Sequence, residues 1–185
     1  RGLINDVLTL SKLDESAFAR EERPIDVTSV ARRMAGRLES FAADEGVSIS
    51  VKGASAHING SETLAEEMLY NLIENGVRYN HEGGSVVMRV EAEPPARPGS
   101  GLPGEDAAGQ VVVRVSDTGP GIPEELREKV FERFFRVDKS RSKETGGTGL
   151  GLAIVKHAVL YHHGSIEVES AEGAGTTFVL RFPAA

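Results

Sequence analysis

The chain has 185 residues, a formal net charge of −7 and no cysteine. This length suits one domain with an appendage, and 39% hydrophobic residues are enough to bury a core. The acidic balance argues against duplex nucleic acid as a partner. The lack of cysteine excludes a disulfide framework and is compatible with the cytosol. The sequence shows neither a signal-peptide pattern nor an apolar run long enough to cross a membrane, so we expect any membrane tether to lie outside it.

The chain opens with a helical pattern. Residues 3–14 place Leu3, Val7 and Leu10 on one stripe of a helix. The next elements expected from helical spacing and from strand alternation are a strand at 25–27, a helix over 28–44 and strands at 47–51 and 56–58.

A third helix is expected over residues 61–80. Its apolar positions recur at three- and four-residue spacing: Leu64, Met68, Leu69, Leu72 and Ile73. Asn71 and Asn75 are four residues apart and therefore share a face, with Arg78 about one turn later. An amide oxygen is a hard ligand that suits Mg²⁺, and a guanidinium can bind a phosphate through two hydrogen bonds. The alternative is a solvated polar face on an amphipathic helix.

Two strands follow, joined by a long connection. Residues 85–93 alternate apolar and polar side chains, and residues 110–116 form an apolar run typical of a buried strand. The connection at 94–109 is rich in Pro, Gly and Ala, which predicts a disordered hairpin connection rather than a domain linker.

Asp117 closes the second of these strands, and Gly119 and Gly121 bracket Pro120 directly after it. Glycines in such a turn allow positive φ and close approach of the backbone to a ligand. A carboxylate at a strand end can accept a hydrogen bond from an exocyclic amine such as that of adenine. The alternative is an ordinary Asp-Gly turn.

The C-terminal third predicts a helix over 123–131, with Pro123 in a favoured first-turn position. The glycine-rich segment 146–156 then opens another helix, whose free N–H groups would bind phosphate. It lacks the Lys-Ser/Thr of a P-loop, and no strand runs into it as in a Rossmann fingerprint. Strands at 164–170 and 176–182 close the sheet as a hairpin. The expected fold is α+β: a two-layer α/β sandwich with a mixed five-stranded sheet and three helices on one face.

Four segments in this order resemble the catalytic and ATP-binding domain of sensor histidine kinases, in the superfamily that includes gyrase and MutL. Residues 71–80 look like the N box, 117–122 like the G1 box, 131–136 like the F box and 147–151 like the G2 box. The resemblance covers residues 25–183 and implies the Bergerat ATP-binding fold. Within the family, the chain is most similar to membrane sensor kinases that pair with winged-helix response regulators.

The resemblance implies roles for the helix that carries the N box. Asn75 would be the Mg²⁺ ligand, and Asn71 would support the phosphate or metal shell. Arg78 stands where the family often has Lys and would touch the triphosphate. Gly76 replaces the usual Ala, which costs roughly 1 kcal/mol of helix propensity.

The other boxes would hold the rest of the nucleotide. Asp117 would read the adenine amine and Tyr79 would pack on the adenine or ribose. Residues 134–148 would be a mobile lid over ATP, with Arg141 as its phosphate contact. The remaining residues expected to touch the nucleotide are Gly119, Gly121, Ile122, Gly147, Thr148, Gly149, Leu150 and Gly151.

The first N-box position helps to separate reaction types. ATPase relatives carry a Glu there that activates water, whereas Asn71 is a poor base. Glu74 points about 100° away from Asn75 around the helix, so we expect it to be solvated. Asn71 therefore favours transfer to a protein acceptor. Two alternatives are an ATPase switch of the gyrase type and a non-catalytic nucleotide-gated interaction module, and the latter would need damaged boxes.

The acceptor histidine of such kinases is missing from this sequence. None of the five histidines, His57, His81, His157, His162 and His163, lies in a phosphoacceptor pattern. His162 and His163 end the helix after the G2 box, where a cation is favourable. No histidine pair has supporting ligands at zinc-site spacing. Basic residues gather beside the expected lid, which suits a triphosphate: Arg133, Arg136, Lys139, Arg141 and Lys143.

The resemblance also divides the chain. Residues 1–20 look like the end of the dimerisation and phosphoacceptor hairpin, and 21–185 like the catalytic domain. The alternative is an N-terminal helix packed on this same domain. The implied partners are the chain's own dimerisation domain and a cytoplasmic response regulator, with the fragment a monomer or weak dimer. The domain would lie on the cytoplasmic side of a protein held in the cell membrane.

Overall fold

The computed structural model describes residues 23–94, 109–137 and 147–185. The α-helices are α1 (Val27–Asp44), α2 (Glu62–Arg78) and α3 (Gly151–Tyr161). The strands are β1 (Arg23–Asp26), β2 (Ser48–Lys52), β3 (His57–Gly60), β4 (Ser85–Glu93), β5 (Gln110–Asp117), β6 (Ser165–Ser170) and β7 (Thr176–Pro183). These bounds agree with the predicted elements to within two residues. The expected N-terminal helix, the boundary after residue 20 and most of the 94–109 connection lie outside the described residues.

The main sheet has five strands in the order β2-β4-β5-β7-β6. β2 runs parallel to β4, and the other neighbours are antiparallel, which confirms the expected mixed sheet. β1 and β3 form a separate two-stranded antiparallel sheet with Ile25 opposite Ile58. The sequence pattern did not distinguish these two short strands from the five of the main sheet.

The three helices pack on one face of the main sheet. α1 turns Val30, Met34 and Leu38 inward as predicted, and these side chains are at most 2% exposed. Alternate residues of the central strands complete the core, because successive side chains of a strand point to opposite faces. The inward residues of β4, β5 and β7 are Val86, Met88, Val90, Val111, Val113, Val115, Phe178, Leu180 and Phe182.

The opposite face of the sheet is mostly polar, although Val112 and Val179 on it are fully buried beside Arg181 and Arg114. Arg114 lies outward on β5 and pairs with Glu91 of β4 at 2.8 Å, and Arg181 of β7 pairs with Glu167 of β6 at 3.0 Å. Such exposed pairs contribute little to stability. These partly exposed pairs lie on the face that the helices do not cover, so the described fold has two layers, as expected.

The predicted helix over 123–131 is wrong. The segment forms two short 3₁₀ helices, Glu124–Leu126 and Lys129–Phe131. Only Val130 is buried within them. Because the segment packs only Val130 and part of Phe131 on the core, it gains too little to offset the cost of starting an α-helix, and 3₁₀ turns are the usual short substitute.

Candidate nucleotide-binding site

An open cavity of about 1020 Å³ lies between the C-terminal half of α2, the end of β5 and the start of α3. The three motifs singled out in the sequence meet there. The predicted site residues that line the cavity are Asn71, Asn75, Arg78, Tyr79, Asp117, Gly119, Gly121, Ile122, Gly147, Thr148, Gly149 and Gly151.

Two predicted residues are not among those that line the cavity, one because it is buried and one because the structure does not describe it. Leu150 does not line the cavity, because its side chain is fully buried and packs with Ile154. The leucine is an apolar anchor for the start of α3. Arg141 and most of the expected lid, residues 138–146, lie outside the described residues.

Asp117 sits at one end of the cavity, where β5 ends between β4 and β7. Its Oδ1 accepts hydrogen bonds from the backbone N–H of Gly119 at 2.9 Å and of Thr176 at 3.3 Å. Among the described residues, no group donates to Oδ2. Burial raises the pKa of this carboxyl, and the two backbone hydrogen bonds oppose that rise. The result is a fixed, partly desolvated carboxylate with one oxygen available to a ligand's donor.

The turn after Asp117 is shaped by the protein itself. Gly121 has φ of 79°, and a Cβ there would lie 2.0 Å from the carbonyl oxygen of Ala171. The turn between β6 and β7 also reaches this loop through Gly173, whose N–H donates to Pro120 O at 2.7 Å. Glycine is therefore required at 121 because a second turn packs against it, and together the two turns form a wall of the cavity.

Sequence reasoning missed the polar residues of that second turn. Thr176 is 6% exposed, lines the cavity and holds Asp117 through its N–H. Ser170 accepts from the N–H of Ile122 at 2.8 Å and lies 3.0 Å from the Thr176 hydroxyl. The available signal was the Gly-Thr-Thr run at 175–177. Its link to Asp117 depends on the pairing of β5 with β7, which local pattern does not show.

The other end of the cavity is formed by helices. Asn71 is 5% exposed, and its Nδ2 donates to Glu67 O at 2.8 Å. Its Oδ1 faces the start of α3, where a Cβ on Gly151 would lie 2.9 Å away. Asn75 lies one turn further along α2, so both amides border the first N–H groups of α3. Amide oxygens beside a helix N-terminus suit a polyanion with a hard cation.

Arg78 and Glu74 form a pair on the cavity side of α2. Their side chains are 3.0 Å apart and only 23% and 17% exposed. The guanidinium also lies 5.4 Å from the ring centre of Phe41. The expectation that Glu74 is simply solvated is therefore wrong: the four-residue spacing directs it to Arg78. A phosphate that binds Arg78 would compete with Glu74 for the guanidinium.

Tyr79 stands at the mouth of the cavity. Its side chain is 45% exposed, and its hydroxyl lies 3.0 Å from the position that a Cβ on Gly147 would take. Arg136 donates to the carbonyl of Gly147 at 2.6 Å from the other side. Tyr79 therefore lies between the carboxylate end and the glycine-rich end of the cavity, where a sugar or base could rest on its ring.

Few side chains in the cavity could bind a metal ion. Among the described residues, no group of three or more His, Asp or Glu side chains is close enough to hold an ion. Asn71 and Asn75 instead offer amide oxygens. This set fits Mg²⁺, which commonly keeps several waters and takes further oxygens from substrate phosphates. It does not fit a resident transition-metal site.

His162 does not act as a charged helix cap. Its ring is 2% exposed, with Nδ1 2.6 Å from Ala158 O and Nε2 3.2 Å from the N–H of Ser61. Burial lowers the pKa of this imidazole, so the neutral form is favoured. A neutral ring can donate to Ala158 and accept from Ser61, which joins the end of α3 to the start of α2.

The arrangement matches that of known proteins. The family model described as "Histidine kinase-, DNA gyrase B-, and HSP90-like ATPase" matches residues 60–185. The chain therefore belongs to this family and has its ATP-binding Bergerat fold. Within the described residues, no helix is long and apolar enough to cross a membrane.

Its relatives are sensor kinases. The chain is 35% identical to the sensor-like histidine kinase SenX3 of Mycolicibacterium smegmatis, over 98% of this chain and 44% of that protein. It is 33% identical to the phosphate regulon sensor protein PhoR of Pseudomonas aeruginosa, over 98% of this chain and 38% of that protein. The chain thus spans less than half the length of these relatives.

Solved structures that superpose on this chain include sensor histidine kinases. The mycobacterial sensor histidine kinase MprB superposes with a TM-score of 0.70 at 29% identity, covering 88% of this chain and 97% of that one. Full-length ShkA, solved in complex with AMPPNP, superposes with a TM-score of 0.77 at 28% identity, covering 99% of this chain and 35% of that one.

Proposed function

We propose that this cavity binds Mg·ATP and that the chain is the catalytic part of a two-component sensor kinase. It would transfer the γ-phosphoryl group to a histidine on its own dimerisation domain for relay to a cytoplasmic response regulator. The observation that carries the proposal is the single cavity shared by the Asp117 carboxylate, the Asn71 and Asn75 amides and the glycine-rich start of α3. The full-length protein would be held at the cell membrane with this domain on the cytoplasmic side.

Each end of the cavity has its own task. Oδ2 of Asp117 accepts from the exocyclic amine of adenine while Oδ1 stays bonded to Gly119 and Thr176. Asn75 ligates Mg²⁺, and Asn71 supports the same shell. Bound Mg²⁺ supplies charge neutralisation on the phosphate oxygens. The N–H groups at the start of α3 and the Arg78 guanidinium face the remaining charge.

The transfer itself needs positioning more than covalent chemistry from these residues. An imidazole nitrogen of the acceptor forms the new N–P bond as the bond between Pγ and the bridging oxygen breaks, and ADP leaves with that electron pair. The imidazole N–H proton is lost to solvent or to a base on the acceptor's domain. Asn71 is a poor base, so this position does not activate water as the Glu of the ATPase relatives would, and Glu74, which also lines the cavity, is paired with Arg78. This favours transfer over hydrolysis.

The first test is calorimetry of the chain with ATP and GTP, each with and without Mg²⁺. We expect ATP to bind better with Mg²⁺ and to exceed GTP in affinity by about tenfold or more, because guanine places a carbonyl opposite Asp117. Absence of ATP binding under all conditions would disprove the nucleotide site. Equal affinities for ATP and GTP would reduce Asp117 to a turn residue.

The second test is phosphoryl transfer. Incubated alone with γ-labelled ATP, the 185-residue chain should gain no stable acid-labile phosphate, because none of its histidines lies in a phosphoacceptor pattern. Addition of a dimerisation hairpin from a full-length relative at high concentration should restore labelling, on the hairpin. Strong labelling of the chain's own histidines would show that the acceptor has been misplaced.

A further inference from the structure

The side chain of Asn80 joins three elements beside the cavity. It follows α2 by two residues, and its Nδ2 donates to Gly76 O at 3.0 Å and to Ser85 O at 3.2 Å. Its Oδ1 accepts from the N–H of His81 at 3.0 Å and from the Thr118 hydroxyl at 3.1 Å. A primary amide has two N–H donors and two acceptor lone pairs. Asn80 therefore uses its full capacity here.

Thr118 completes the connection. Its Oγ1 also accepts from the N–H of Ser85 at 2.9 Å, and its own N–H donates to Ser85 O at 3.2 Å. Thr118 lies between Asp117 and Gly119, and the N–H of Gly119 holds Oδ1 of Asp117. The exposed Thr118 side chain thus fixes the turn that orients the carboxylate. We call the hydrogen-bonded side chains of Asn80 and Thr118 the Asn80–Thr118 bridge.

The space for this bridge is reserved at Gly84. A Cβ at that position would lie 2.1 Å from Oδ1 of Asn80 and 2.7 Å from its Cγ. The turn between α2 and β4 therefore accommodates the Asn80 amide only because residue 84 has no side chain. The bridge is built into this turn, and both of its members line the cavity.

We propose that Asn80 and Thr118 are positioning residues that set the distance between the two ends of the nucleotide site. Asn80 is bonded to the carbonyl of Gly76, which directly follows the Mg²⁺ ligand Asn75. Thr118 is bonded into the turn of Asp117. One nucleotide must meet both groups at once, and a small misplacement of either weakens the whole complex. The inference rests on the proposed function, since it concerns how the same site is spaced.

The test compares variants that remove the bridge with variants that keep it. Thr118→Val removes the hydroxyl at an exposed position, whereas Thr118→Ser retains it. Asn80→Ala removes the amide. We expect Thr118→Val and Asn80→Ala each to weaken Mg·ATP binding by about threefold to tenfold and to lower the ATP-to-GTP affinity ratio, as loss of one or two hydrogen bonds allows. Thr118→Ser should bind as wild type does. The double variant Asn80→Ala/Thr118→Val should lose no more Mg·ATP affinity than the more damaging of the two single variants, because both remove the same bridge.

A matched control separates positioning from stability. The buried Thr28 hydroxyl donates to Ala54 O at 2.7 Å, and neither residue lines the cavity. Thr28→Val should lower the midpoint of thermal unfolding yet leave the affinities for ATP and for GTP unchanged. All titrations are made well below the lowest midpoint, with folding checked by circular dichroism.

The outcomes are separable. Suppose that wild type binds ATP selectively, and that Thr118→Val and Asn80→Ala each keep the Mg·ATP affinity and the ATP-to-GTP affinity ratio within about twofold of wild type. The bridge then has no positioning role and the inference is wrong. If wild type does not bind ATP at all, the proposed function fails and takes the inference with it. A loss of affinity in Thr118→Val that Thr118→Ser does not share supports the bridge.

Discussion

The two ends of the cavity are built in different ways. At the base end, Asp117 and its surroundings are strand termini and tight turns joined by backbone hydrogen bonds. At the phosphate end, Asn71 and Asn75 project from one helix toward the start of another. The first end is held by contacts between residues far apart in the chain, such as Asp117 with Thr176, 59 positions away. The second end also joins distant residues, since Asn71 and Asn75 of α2 face Gly151 of α3, but its polar groups are placed by the regular geometry of the two helices.

This difference has an energetic side. The base end keeps a carboxylate in a desolvated position, where burial raises its pKa and so opposes folding at neutral pH. The phosphate end uses neutral amides and helix N–H groups, which are hydrogen-bonded or directed at the cavity. Selectivity for the base therefore costs stability, whereas the phosphate end obtains its affinity from geometry that the helices already provide.

The largest expected effect lies at the phosphate end. Asn75→Ala should abolish phosphoryl transfer in the full-length protein and weaken Mg·ATP binding by about tenfold or more. Adenosine, which uses only the base end, should bind unchanged. Calorimetry with both ligands checks this, with Asn59→Ala on an exposed part of β3 as the control. Unchanged Mg·ATP binding together with unchanged transfer would remove Asn75 from the site.

Asp117→Asn tests the base end. The variant should lower the ATP-to-GTP affinity ratio by about tenfold or more, since an amide N–H can face the carbonyl of guanine but not the amine of adenine. It should also be more stable than wild type at pH 7. Because the folded-state pKa is raised, the wild-type carboxyl lowers stability fully above that pKa, and this loss disappears as the pH falls through it.

Urea titrations at several pH values measure this second effect. The stability difference between Asp117→Asn and wild type should shrink toward zero in acid. A difference that does not vary with pH would show that the carboxyl's ionisation is not its source.

A smaller effect is expected where the two ends meet. A Cβ on Gly76 would lie 3.0 Å from Val86 Cγ2 and 3.5 Å from Asp117 Cβ. Gly76→Ala gains helix propensity but crowds Val86. The change in unfolding free energy caused by Gly76→Ala should therefore be more favourable in a Val86→Ala background than in wild type, by about 0.5–1 kcal/mol. Urea denaturation of the four proteins gives this value.

Gly36→Ala is the control for that cycle. Gly36 lies in α1 with no atom within 4 Å of its missing Cβ. The substitution should stabilise by roughly 1 kcal/mol in both backgrounds. If Gly76→Ala likewise showed no dependence on Val86, the close contact beneath Asp117 would not limit this position.

The smallest effect concerns the scaffold behind the phosphate end. His162 ties the end of α3 to Ser61 at the start of α2. Because its folded-state pKa is lowered, its contribution to stability is complete above the unfolded pKa near 6.5 and is lost as the pH falls toward the folded value. His162→Gln should flatten this acid dependence of unfolding, and the exposed His57→Gln should not. An unchanged pH profile in His162→Gln would contradict the assignment.

Local pattern was sufficient for most of the fold. The helices α1 and α2 follow from apolar spacing of three to four residues. The alternating strands follow from their one buried face, and β5 follows from a continuous apolar run that is buried on both faces. The prediction for 123–131 was wrong because Pro123 indicated a helix start, whereas only Val130 and part of Phe131 pack against the core. The prediction for Glu74 was wrong for a different reason: although it lies about 100° from Asn75 around α2, it still lines the cavity, where the four-residue spacing directs it to Arg78.

The sequence by itself determined which chemical groups this protein brings to its site: the amides of Asn71 and Asn75, the Asp117 carboxylate and the glycines of 147–151. Short-range spacing places each of them on its own helix, strand end or turn. The tertiary structure alone decided which residues support them. Thr176 holds Asp117, and Asn80 reaches Thr118, only because β7 and β4 pair on either side of β5. Such supports join elements distant along the chain, and hydrogen-bond geometry between them exists only once the sheet has formed.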